Sequence, residues 1–151
     1  MNKTERFNYV HIDPSYFQDN SSLIEVMKDD NRQYLHIVTK YKDNTFLIPF
    51  RSHIKHKYCY HFYIEAGSND GLDFSKALII NDLQKYTHTS LLPIPDKQHK
   101  VIKRNYDTII RKFHRYVDNY CKNTAEGDSE YFEHVGSRST LQNYHSELNL
   151  K

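Results

Sequence analysis

Apolar and polar residues alternate through much of the first half of this chain, and a period of three to four takes over in the second half. "FNYVHIDPSYF" alternates through Phe7, Tyr9 and His11, which predicts a strand that ends before Pro14, because the residue ahead of a proline is pushed out of the helical region. "SSLIEVMKDDN" predicts a short helix or turn, capped by Ser21 or Ser22 with Glu25 in the capping-box position. "QYLHIVTKY", "KDN" and "TFLIPF" predict a hairpin with Asp43 and Asn44 as turn formers, and Pro49 suggests an edge or a strand terminus. A second β-pair is predicted from "HKYCYHFYIE" and "KALIIN", joined by the loop "AGSNDG". The segment "DLQKYTHTSLLPIPD" reads as irregular, since Pro93 and Pro95 exclude a regular helix.

From Lys97 onward, Val101, Ile102, Tyr106, Ile109, Ile110, Phe113, Tyr116, Val117, Tyr120 and Cys121 recur at helical spacing. They predict one amphipathic helix of about six turns. Its polar side carries Lys103, Arg104, Arg111, Lys112 and Arg115, opposed by Asp107 and Asp118. "NTAEGDSEYFEHVGSRS" reads as a loop and "STLQNYHSEL" as a short closing helix capped by Ser139. The expected fold is α+β: a twisted antiparallel sheet packed by one long helix and short ones, in a single domain over residues 1–151.

Composition narrows the class. Hydrophobic residues make up 38% and the net charge is +2, so the chain is polar yet unlike a disordered one, which lacks aromatics. The aromatic content is 13 Tyr and 8 Phe without Trp; tyrosine has an apolar body and a polar tip, so part of it suits a wet surface. Apolar runs are too short to span a membrane, no secretory leader opens the sequence, and Cys59 and Cys121 form no C-x-x-C pair. A soluble cytoplasmic protein is expected.

Candidate chemistry gathers at "RSHIKHK", directly after the apolar "LIPF". Arg51 offers a planar fork for phosphate oxygens, Lys55 and Lys57 offer point charges, and Ser52 a short donor. His53 and His56 titrate near neutral pH and can move protons. Such a set suits RNA cleavage without a metal, in which the 2′-hydroxyl is the nucleophile and cations stabilise the crowded phosphorane. Arg32 and the basic helix face add charge that can follow a backbone. The same residues also make an ordinary solvated strand end, and the helix face an ordinary solvated face. A zinc set of His53, His56, Cys59 and His61 is disfavoured, because alternation sends neighbouring positions to opposite faces. No cofactor is called for.

Three stretches carry a family resemblance: "NRQYLHIVTKYKDNTFLIPFRSHIKHKY", "GLDFSKALII" and "IKRNYDTIIRKFHRYVDNY". Their order and spacing resemble the toxins of type III toxin–antitoxin systems, the ToxN/AbiQ-like endoribonucleases, and within them the TenpN/CptN branch. The resemblance runs over about Tyr16 to Leu150 and is weakest at the ends and in the 124–138 loop. It implies a Kid/MazF-like β-core, partly closed as a barrel, and metal-independent cleavage leaving a 2′,3′-cyclic phosphate. It also implies inhibition by a small repeated pseudoknot RNA, processed by the toxin and held with it in a closed protein–RNA ring. Cellular or phage RNA would be the substrate, and phage defence or locus maintenance the role.

Carried over residue by residue, the resemblance puts Ser52 at the hydroxyl position beside the scissile phosphate and Arg51 where many members have Thr. The catalytic lysine matches Lys55 with one residue inserted, so Lys55 and Lys57 both remain candidates. Arg32 matches the basic residue leading into the first hairpin strand, and Tyr16 a tyrosine near the N-terminus. His53 has no counterpart in the ToxN form of the motif. The RNA contacts expected besides are Arg111 and Arg115 on the helix. A non-catalytic RNA-binding module using the same basic, tyrosine-rich surface is the alternative.

Overall fold

The β2–β3 hairpin, Leu35–Tyr41 with Asn44–Arg51, is the centre on which the rest of the sheet is assembled. The computed structural model describes residues 9–27, 35–64, 67–89 and 96–150. Lys42 (φ 52°) and Asp43 (φ 63°) form the turn, the paired positive φ values that let a two-residue turn match strand twist. The turn thus falls one residue earlier than predicted, and Asn44 begins β3 opposite Tyr41. Its buried amide donates to the carbonyls of Lys42 (3.0 Å) and Glu147 (2.9 Å), so it ties the hairpin to the end of the chain.

Among the described residues seven antiparallel strands make an open sheet in the order β4-β5-β3-β2-β1-β7, with β6 paired to β3 off this path. They are β1 Tyr9–Ile12, β4 Cys59–His61, β5 Gly71–Asp73, β6 Leu78–Ile79 and β7 Thr87–Thr89 beside the hairpin. The second β-pair of the sequence reading is corrected: β4 pairs with β5, and β6 pairs with β3 through Phe46↔Ile79 and Leu47↔Leu78. β5 overlaps the loop expected from "AGSNDG" at its last residue alone. It starts at Gly71, where a Cβ would lie 2.1 Å from the Tyr60 carbonyl oxygen; only glycine permits that approach.

Pro49 is buried within a central strand, neither at an edge nor at a terminus. On the side of β3 away from β2, β6 pairs residues 46–47 and β5 pairs residues 50–51. Pro49 stands between the two partners, where a missing N–H breaks no ladder bond.

Helix α1, Pro14–Asp19, forms where proline occupies the first turn and Asp13 accepts the Ser15 N–H at 2.9 Å. Of the helix or turn expected from Ser21, the described residues show the turn: 20–22 are a turn and Glu25 has φ 63°. Residues 82–89, expected irregular, hold α2, Leu83–Tyr86, and then β7, which pairs with β1. The long helix α3 runs Asp96–Ala125 with a break at Asn105 (φ −111°, ψ 18°). There the side-chain amide donates to the Val101 carbonyl at 3.1 Å. Gly127 (φ 68°) follows the helix end, and Asp128 caps a further helix α4, Ser129–His134, in the segment that read as loop. Ser139 caps the closing turn 140–143 as expected, in 3₁₀ form.

The core joins the sheet to α3. Ile102, Ile109, Phe113, Val117 and Tyr120 have no exposed surface, and Phe113 meets Phe46 and Phe74 edge-on at 5.2 and 5.4 Å. The buried Tyr116 hydroxyl shares a 2.6 Å hydrogen bond with Ser139, and Tyr120 one of 2.7 Å with His145 Nε2, which fastens the C-terminal segment to the helix.

Candidate functional site

β3 ends at Arg51, and the chain then makes a turn whose anchors explain the "RSHIKHK" pattern. Ile54 is buried and its N–H donates to the Asn69 carbonyl at 3.1 Å. Ser52, His53 and Lys55 around it are exposed, with His53 in the left-handed region (φ 57°). Both ends of this turn are held by Asp73, the last residue of β5, which has no exposed surface. Its carboxylate accepts from Arg51 Nη1 at 2.8 Å, from Ser75 N–H at 3.0 Å and from Ser75 Oγ at 2.6 Å. His56 Nε2 lies 3.3 Å from Asp73 Oδ1 and 3.3 Å from Ser75 Oγ. Burial by itself would raise the Asp73 carboxyl, but the hydrogen bonds from His56, Ser75 and Arg51 outweigh it and hold the group below its ordinary value.

His56 is oriented from its other side as well. The Tyr58 N–H donates to Nδ1 at 3.0 Å, so the proton of the neutral ring sits on Nε2, facing Asp73 and Ser75. Both ring nitrogens are therefore engaged, and the histidine holds the turn.

Beyond the turn lies a groove of about 1050 Å³ along the edge strand β4. Lys55, Lys57 and Lys112 line it with Tyr58, Tyr60 and Tyr63, and among the described residues none that lines it is acidic. Lys57 Nζ stands 5.6 Å from the Tyr58 ring centroid and Lys112 Nζ 5.6 Å from that of Tyr60, which joins α3 to the groove wall. Cys59 Sγ and His61 Nε2 are 3.2 Å apart on this wall. Burial, reinforced by Asp73 and opposed by Lys112, pushes the Cys59 thiol up to about 11, so it stays protonated and unreactive.

The structure divides the residues singled out in the sequence. Lys55 and Lys57 share the large groove, although no strand continues through them. Arg51 and Ser52 line a second hollow of about 210 Å³ with Phe50, Phe62, Asp70, Gly71 and Gln98. His53 lines neither. Tyr16 is buried, its hydroxyl 2.7 Å from that of Tyr144, and it lines a separate hollow of about 250 Å³. Arg111 and Arg115 are exposed on α3 but absent from the groove lining. Arg32 lies outside the described residues. Among the described residues no group of three or more His, Cys, Asp or Glu is placed to hold a metal ion.

Lys112, Tyr63 and Asp73 were missed as site residues. Asp73 left one signal, an Asx-type "D-x-S" turn, and Lys112 left its place on the flank of the helical wheel. The molecule is an α+β protein whose open antiparallel sheet carries a lysine- and tyrosine-lined groove at one edge. Comparison with protein-family models, with curated proteins and with solved structures finds no match to this chain. Among the described residues no helix is long and apolar enough to cross a membrane.

Proposed function

We propose that this chain is a metal-independent endoribonuclease acting as the toxin of a type III toxin–antitoxin system. The observation that carries the proposal is a groove lined by three lysines and, among the described residues, no carboxylate, beside a turn presenting Ser52, His53 and Lys55. A polyanion is the ligand such a surface suits. In the proposed reaction the RNA's 2′-oxygen forms a bond to phosphorus, the bond to the 5′-oxygen breaks, and a 2′,3′-cyclic phosphate and a 5′-hydroxyl result. Ser52 and Arg51 hold the phosphate, Lys55 or Lys57 stabilises the charge that develops on it, and His53 carries protons. Arg51 commits one N–H to Asp73 and keeps donors to spare. Arg32 and, where RNA wraps beyond the groove, Arg111 and Arg115 add backbone contacts. A Kid/MazF-like core, a pseudoknot antitoxin RNA in a closed ring and a role in phage defence belong to the same proposal.

One observation favours the second reading, a non-catalytic RNA-binding module: both nitrogens of His56 are engaged away from chemistry. Incubation of the protein with total RNA in EDTA separates the two. Cleavage to cyclic-phosphate ends supports the enzyme, and retarded but intact RNA supports the binder. Under single turnover, Ser52→Ala and Lys55→Ala should each slow cleavage by roughly a hundred- to a thousandfold, with melting curves unchanged. Lys57→Ala decides which lysine is used, and His53→Ala should shift the pH profile. Wild-type rates in all four variants would remove the site from this turn.

A further inference from the structure

We propose that Tyr63 is a base-stacking post for single-stranded nucleic acid whose phosphates run along Lys55, Lys57 and Lys112. The inference rests on the reading of the groove as a nucleic-acid site and names the form of chain it takes. Three large hydrophobic side chains are prominently exposed among the described residues, and Tyr63, at 73%, is the most exposed; it alone lines the groove. Its backbone is in the left-handed region (φ 51°), where a bulky residue is rare and which concentrates at functional sites.

The neighbouring residues explain how it is held there. Phe62 is buried, and its N–H donates to the Asp70 carbonyl at 2.9 Å, so the chain is pinned one residue earlier. The left-handed step then turns Tyr63 out of the protein. Its ring centroid lies 5.2 Å from that of His61 at 40°, a partial support that leaves the ring largely open. Every base has a π-face, so a ring beside a lysine track recognises an unpaired base of any sequence. A duplex keeps its bases stacked on one another and presents none to such a post. The three lysines set the sign of the ligand, and the aromatic post sets its flatness.

The test uses a fluorescein-labelled oligothymidylate, which has no 2′-hydroxyl and so cannot be cleaved by the proposed reaction. Anisotropy should show the full chain binding it, and binding a duplex of equal length more weakly at the same salt. Tyr63→Ala should weaken single-strand binding about fivefold to a hundredfold, while Tyr63→Phe retains it. No binding by the wild type, equal affinity for the duplex, or an unchanged Tyr63→Ala variant overturns the inference. Tyr63-dependent binding without RNA cleavage would sink the nuclease reading alone; cleavage with Tyr63-independent binding would sink this inference alone.

Discussion

Asp73 holds Arg51 and His56, five residues apart in sequence, against one carboxylate without exposed surface. Asparagine at this position keeps an acceptor for the Ser75 N–H but turns an amide donor toward donors. Asp73→Asn should therefore lower stability by about 1.5–3 kcal/mol, the range for hydrogen bonds to charged groups, as read by urea unfolding. The pH dependence follows from the lowered carboxyl. Because the folded protein holds the group below its ordinary 3.8, the contribution is fully present above that value. It is lost as pH falls through the lower value in the fold. The stability difference between wild type and Asp73→Asn should accordingly close on acidification below about pH 4. A difference that stayed constant down to acid unfolding would show that the carboxylate's charge is not what stabilises the turn.

Helix α3 presents its charges in two directions. At about 100° per residue, Arg111 and Arg115 fall close to one line, on the side away from Ile109 and Phe113. Lys112 is rotated about 60° from Arg115 and reaches the groove wall over Tyr60. Each phosphate neutralised on single-stranded RNA contributes a slope of about −0.7 in log K against log salt. Lys112→Glu should flatten the measured slope by about that amount. The pair Arg111→Glu with Arg115→Glu should change it less, because that line faces away from the core-side groove. A larger effect from the arginine pair would mean that RNA crosses the outer face of the helix.

At the level of the whole molecule, the toxin reading makes a physiological prediction. Expressed alone, the folded chain should arrest bacterial growth, and co-expression of a short tandem-repeat RNA encoded upstream should relieve the arrest. Harmless accumulation of soluble, folded protein would count heavily against it. The groove's charge also requires affinity for that RNA to fall steeply with salt, and an affinity indifferent to salt would argue for a protein-interaction surface.

What the amino-acid order determined by itself is whatever depends on near neighbours. The β2–β3 hairpin follows from alternation on either side of a short polar turn, though the turn sits one residue earlier than its formers suggested, and α3 follows from an apolar stripe at 3.6-residue period. Ser139 capping the last turn needs only the next two residues. At Ser21 and Ser22 local rules left helix and turn both open, because a capping-box pattern resembles a helix start whether or not an apolar face has something to pack on, and the described residues take the turn. The turn after Arg51 was legible as a cluster of chemical groups, but not as two separate hollows. Strands β5 and β7 have three residues each, too few to show a period, and they exist through partners far along the chain. The same is true of the groove: Lys112 meets Tyr60 across 52 positions, and Asp73 reaches back 22 to Arg51. Those pairings were decided by the tertiary structure alone, because burial of the α3 stripe against the sheet, and not any local preference, sets which residues become neighbours.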